Sequence, residues 1–165
     1  MARATERGSP SEPASFRTSR IFPVRRELVF KAWSTADHIK RWFCPTEFTI
    51  PEATVEMREG GVFELCMRAP DGAAHWVRGT FSEVSPFDRL VLDLRVEDMQ
   101  GHGLFKALTA VNFADASGGT RMDVEQSYTV LDPEAAWMTQ GAPEGWGQTL
   151  DKLADELVRM EGQSN

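Results

Sequence analysis

Two kinds of periodicity run along the chain. Near the C-terminal end, Trp146, Leu150, Leu153, Leu157 and Met160 recur at three- and four-residue intervals. That spacing draws one apolar stripe down a helix from Glu144 to Met160. Asp151, Lys152, Asp155, Glu156 and Arg159 fall on the other faces. The helix is expected to be about 25 Å long, at ~1.5 Å per residue. A single stripe needs a surface to lie on, and nearly everything upstream alternates with period two. Val62 to Arg68 sets Phe63, Leu65 and Met67 against Glu64, Cys66 and Arg68. Ala74 to Val84 sets His75, Val77, Gly79 and Phe81 against Trp76, Arg78, Thr80 and Ser82. Arg89 to Glu97 sets Leu90, Leu92 and Leu94 against Val91 and Asp93. These are strands with two different faces.

Further strands are expected at 16–22, ended by Pro23, at 48–57, interrupted by Pro51, and at 104–114 and 120–130. The inward face of the first is ambiguous, because its apolar residues do not alternate cleanly. Turns fall at Gly60-Gly61, Pro70-Asp71-Gly72, Ser85 to Asp88 and Ala116 to Gly119, with a glycine-containing loop at 98–103. Two short helices fall between the first two strands. One spans Arg25 to Trp33, with Leu28, Val29, Ala32 and Trp33 on one side. The other runs to about Arg41, with Ile39 and Trp42 inward, and Cys44-Pro45 breaks it. Ser34 to Asp37 has the form of a capping box. Asp132-Pro133 opens the C-terminal helical region, which kinks at Gly141 to Pro143. Residues 1–14 are small, polar and aperiodic and are expected to form a disordered tail before a single domain at 15–161. Glycines flank Trp146, where each costs a helix roughly 1 kcal/mol. A close approach of the backbone to the sheet, or space left for another molecule, would account for them.

That order, carried by particular sequence words, resembles the Activator of Hsp90 ATPase homologue 1-like family of the START-like, or SRPBCC, superfamily. The words are Arg20 to Trp33, His38 to Phe43, Gly60 to Phe63, Pro70 to Gly72, Gly79 to Val84, Arg89 to Leu92, Gly118 to Met122 and Glu144 to Leu153. The resemblance covers residues 16 to about 160. It implies an α+β helix-grip fold: a bent antiparallel sheet of six to seven strands around a long C-terminal helix, with an apolar cavity between them. After Trp42 the family commonly has a second Trp, then Gly and Pro. This chain has Phe43, Cys44 and Pro45 near the expected cavity mouth.

The aromatic inventory makes a cavity worth testing, with five Trp and ten Phe but one Tyr. Candidate wall residues are Trp33, Trp42, Phe43 and Phe48 from the helical insert. From the strands come Phe63, Leu65, Met67, His75, Val77 and Phe81, and from the C-terminal segment Met138 and Trp146. The bland alternative is that they fill a dry core. The expected function is non-enzymatic binding of a hydrophobic or aromatic small molecule. The family name implies Hsp90-type co-chaperone action or a stress-response role as an alternative. A cyclase, hydrolase or lyase using His75 as base is a third reading, although a neutral core or rim histidine is the commoner case. His38 is expected to be exposed and His102 to lie on a loop.

The net charge of −7 argues against sequence-independent nucleic-acid binding. It is uneven, at +4 over residues 1–31 and −5 over 131–165. Solvated surface explains this, and pairing within a homodimer would also use it. Cys44, Cys66 and the histidines lack metal-ligand spacing, so neither metal nor cofactor is expected. Cys44 is a thiol with no evident activating neighbour. Two cysteines without a disulfide framework and a polar N-terminus point to the cytoplasm. No apolar run is long enough to cross a membrane.

Overall fold

The computed structural model describes residues 14–163. The expected tail lies outside them except for Ala14, which begins the first strand. The chain runs β1 (Ala14–Phe22), α1 (Arg26–Ala32), α2 (Ala36–Trp42), β2 (Thr49–Val55), β3 (Val62–Arg68), β4 (Ala74–Ser85), β5 (Arg89–Glu97), β6 (Gly103–Ala116), β7 (Gly119–Val130), α3 (Ala136–Gln140) and α4 (Ala142–Gln163). A 3-10 turn at Pro133–Ala135 leads into α3. One antiparallel sheet has the order β1-β7-β6-β5-β4-β3-β2. Its concave face grips α4, which is the α+β helix-grip arrangement.

The alternating patterns resolve as expected. Phe63, Leu65, Val77, Phe81, Leu90, Leu92 and Leu94 are buried on the concave side. On the convex side Arg78 stacks 4.3 Å over the Trp76 ring and reaches Glu64 and Glu97, while Cys66 on the same face is buried. In β1 the inward face belongs to Phe16, Thr18, Arg20 and Phe22, while Ile21 is exposed. The periodicity was obscured there because an arginine faces the helix. Arg20 Nη1 lies 2.7 Å from Asp151 Oδ1 on α4. A basic N-terminal residue and an acidic C-terminal one thus meet within one chain.

Three local expectations need correction. The cap of α2 is Thr35, one residue later than the box pattern implied. Its Oγ1 accepts the His38 N–H at 3.3 Å, while the Ser34 hydroxyl donates to Phe30 O. Glu156, placed by spacing on a polar face of α4, is only 4% exposed. His38, expected in solvent, is half-buried against it. His38 Nδ1 lies 2.7 Å from Glu156 Oε2, and Arg159 reaches the same carboxylate through Nε at 2.8 Å and Nη2 at 2.6 Å. A carboxylate only accepts, so His38 donates from Nδ1. Burial alone would raise the Glu156 carboxyl, but the hydrogen bonds from Arg159 and His38 outweigh it and hold it below its ordinary 4.5. This cluster fastens α2 to the last turns of α4.

The two glycines around Trp146 have different surroundings. A Cβ on Gly145 would sit 3.6 Å from Pro45 Cγ, an ordinary contact, and one on Gly147 would meet nothing within 4 Å. Neither marks a close approach to the sheet. Gly147→Ala is therefore expected to raise stability by about 1 kcal/mol through helix propensity. Urea unfolding measures this, and a decrease would show that the space beside Gly147 is needed.

Candidate functional site

The grip is filled unevenly along α4. Towards its C-terminal end, Leu150, Leu153, Leu157 and Met160 pack into the same core as residues of α1 and α2. Towards its N-terminal end the sheet and helix diverge around a pocket of about 630 Å³. This lies within the usual range for small-molecule sites. Its walls come from the α2–β2 loop (Phe43, Cys44, Pro45, Phe48), the facing ends of β3 to β7, α3, and α4 from Ala142 to Thr149. Trp137 stands at the mouth, 69% exposed.

Seven of the twelve sequence candidates line this pocket: Phe43, Phe48, Met67, His75, Val77, Met138 and Trp146. The other five do not. Trp33, Trp42, Phe63, Leu65 and Phe81 are fully buried in the packed core beyond it. Strand alternation and helix spacing identify an inward face, and they do not separate the filled part of that face from the open part. Phe43 joins the two regions. Its ring makes edge contacts with Trp33, Trp42, Phe63 and Trp146 at 5.6, 5.3, 5.3 and 5.8 Å between centroids. Trp42 and Trp146 communicate through it rather than touching. Trp42 Nε1 donates to Ala32 O at 3.0 Å. No partner for Trp33 Nε1 is found among the described residues.

Sequence reasoning missed the pocket's polar floor. Gln126 Oε1 accepts from Trp146 Nε1 at 2.9 Å and from the Tyr128 hydroxyl, while Gln126 Nε2 donates to Thr109 Oγ1 at 2.9 Å. Two donors converge on one amide atom, which must be the oxygen, so the orientation of the amide is fixed. The alternation of Thr120, Met122, Val124, Gln126 and Tyr128 along β7 carried the signal: a glutamine on an otherwise apolar face.

Burial pushes the Tyr128 phenol up to about 12 from its ordinary 10. Tyr128 is the sole tyrosine, so the pH-dependent change in near-ultraviolet absorbance, to which the five tryptophans add a constant background, follows it. Phenolate is expected to appear near pH 12 in the folded protein. The sign follows from the raised folded value: the contribution to stability is complete below pH 10 and is lost as pH rises towards 12. Ionisation at the ordinary value in folded protein would contradict the buried floor.

His75 faces the pocket, and burial lowers its pKa, so its ring is neutral near pH 7. No hydrogen-bond partner for that ring is found among the described residues. Cys44 is 2% exposed. Sequence showed no cation beside it, but Lys152 Nζ lies 3.3 Å from its sulfur. Burial pushes the Cys44 thiol up, and Lys152 offsets this only in part. Lys152 also donates to Pro45 O at 2.9 Å and Phe48 O at 3.2 Å, pinning the α2–β2 loop to α4. His102 is exposed in its loop and bonds Asp132 through Nε2 at 2.8 Å. Among the described residues no group of three or more His, Cys, Asp or Glu is placed to hold a metal. No described helix is long and apolar enough to cross a membrane.

Comparison with known proteins fits this architecture. The family model described as "Activator of Hsp90 ATPase homolog 1-like protein" matches residues 23–158. The chain belongs to that family. Solved structures with the same fold include a protein from Rhizobium leguminosarum, 25% identical with a TM-score of 0.78, covering 90% of this chain and 96% of that one. A protein from Nitrosomonas europaea is 23% identical with a TM-score of 0.75, covering 90% and 96%. The AHSA1 protein from Silicibacter pomeroyi is 21% identical with a TM-score of 0.75, covering 89% and 99%. No curated protein matches the chain significantly. In this family member, Phe43, Cys44 and Pro45 line one wall of the pocket.

Proposed function

We propose that the protein binds a hydrophobic or aromatic small molecule between the sheet and the N-terminal half of α4, without catalysis. The observation that carries this is the combination of an open, mostly apolar pocket with a polar floor whose Gln126 amide is held by Trp146, Tyr128 and Thr109. Ligand pockets have this composition, with apolar walls and a few fixed polar groups that orient the guest. A dry core would instead close over such groups. The absence of disulfide partners for Cys44 and Cys66 among the described residues supports a cytoplasmic setting.

Titrating the purified protein with a panel of apolar fluorophores tests the proposal. Binding is expected to alter tryptophan emission through Trp146 and to raise the thermal midpoint. A ligand at 100 times its Kd adds about 2.7 kcal/mol. No response to any compound would remove the proposal. A co-chaperone role is supported by the family description alone, and the Hsp90 ATPase rate with and without the protein decides it. For catalysis, the orientation of His75 into the pocket supplies a neutral base.

A further inference from the structure

The charge of the pocket narrows what it can hold. None of its lining residues is Lys or Arg, and two, Asp71 and Asp98, are acidic. In each acid one oxygen is taken by turn amides. Asp71 Oδ1 accepts from Ala73 N at 2.9 Å, and Asp98 Oδ1 accepts from Gln100 N and His102 N, each at 2.9 Å. The second oxygen of each has no partner among the described residues, and neither acid forms an ion pair among them. A cation, Lys152, lies behind Cys44. An ammonium has three N–H donors, and all three are spent on Cys44 Sγ, Pro45 O and Phe48 O. It has none left for a guest.

Two further polar side chains, Tyr128 and His75, add to this. The Tyr128 hydroxyl proton is committed to Gln126, which leaves its oxygen as an acceptor. His75 is neutral and offers one acceptor nitrogen and one N–H. The pocket is therefore richer in acceptors than in free donors. An organic anion entering it would lose part of its water, find the Lys152 N–H groups already engaged, and face two carboxylates at the more exposed rim, which is unfavourable.

We propose, resting on the small-molecule reading above, that the pocket selects uncharged or cationic aromatic molecules bearing a hydrogen-bond donor, and excludes carboxylates and sulfonates. Asp71, Asp98 and the engaged Lys152 set this selectivity.

A matched pair of fluorescent probes tests it. N-Phenylnaphthylamine is uncharged and carries one N–H. Anilinonaphthalenesulfonate has the same ring skeleton plus a sulfonate. The uncharged probe is expected to bind at least about tenfold more tightly, since the sulfonate gives up water without gaining a free donor and meets like charge at the rim. Asp71→Asn with Asp98→Asn keeps the oxygens that accept the turn amides while removing both charges. This double variant is expected to narrow the gap by about threefold or more. If the sulfonate binds within threefold of the uncharged probe, the charge selectivity is wrong while the small-molecule proposal stands. If neither binds, that proposal fails and this one with it. If the gap is unchanged in the double variant, the selectivity does not come from the two acids and their assignment is overturned.

Discussion

Replacing Trp42 by alanine is expected to cost roughly 3–5 kcal/mol of folding stability, the range for deleting a fully buried large aromatic. The side chain is 0% exposed and packs edge-on against Trp33 at 4.9 Å and Phe43 at 5.3 Å. Its indole N–H also satisfies the C-terminal carbonyl of α1 at Ala32, so truncation leaves that acceptor without its partner as well as a cavity. Because Phe43 leans on Trp42 from one side and forms a pocket wall on the other, the damage should spread into the pocket. Affinity for apolar probes is expected to fall along with stability. Trp42→Phe keeps most of the volume and should lose clearly less. Equilibrium urea unfolding of both variants measures this. A loss below about 1 kcal/mol for the alanine variant would mean the aromatic chain is not what supports the wall.

The second large effect is at the other end of α4. Removing the Glu156 carboxylate as Glu156→Ala is expected to destabilise by about 3 kcal/mol. That is the low end for breaking a buried ion pair, because Arg159 keeps 33% of its side chain in solvent while Glu156 keeps 3%. The pH dependence has a definite sign. The folded Glu156 carboxyl lies below its ordinary 4.5, so its contribution is present above that value and is lost as pH falls through the folded one. Glu156→Gln should flatten this acid limb. Stability curves of the wild-type and glutamine forms are therefore expected to converge in acid and separate towards neutrality. Parallel curves at every pH would show that the carboxylate contributes nothing through its charge.

Where sequence and structure part company, the reasons are physical. Alternation in β3, β4 and β5 revealed which residues point inward, because one buried face repeats every second residue. The long helix was legible for the same kind of reason, from its single stripe. Its start was placed two residues late because Ala142 and Pro143 belong to its first turn, where proline is tolerated. Glu156 was misplaced because a helical position between Leu153 and Leu157 looks polar by residue type, and its burial rests on the partners His38, Arg41 and Arg159. His38 and Arg41 come from α2, over a hundred residues away in sequence. Among the site residues, Phe43 and Trp146 were legible as large inward aromatics flanking loops. Gln126 and Tyr128 were not singled out, because a polar residue on a strand reads as outward until its hydrogen-bond partners are known. The division between pocket and core was beyond any local pattern. Trp33 and Trp42 have the same chemistry as Trp146, and only the divergence of sheet and helix separates them.

The sheet order has a consequence for synthesis. β1 is built first, yet among the described residues its strand neighbour is β7, with Ala14 opposite Tyr128 and Phe22 opposite Thr120. During translation the N-terminal strand must wait, without its ladder, until more than a hundred further residues have left the ribosome. The closure entropy of such a long loop grows only with the logarithm of its length, so the delay is chiefly one of time. Nascent chains stalled before residue 119 should therefore remain open to proteolysis at their N-terminal end, and those released after β7 should not.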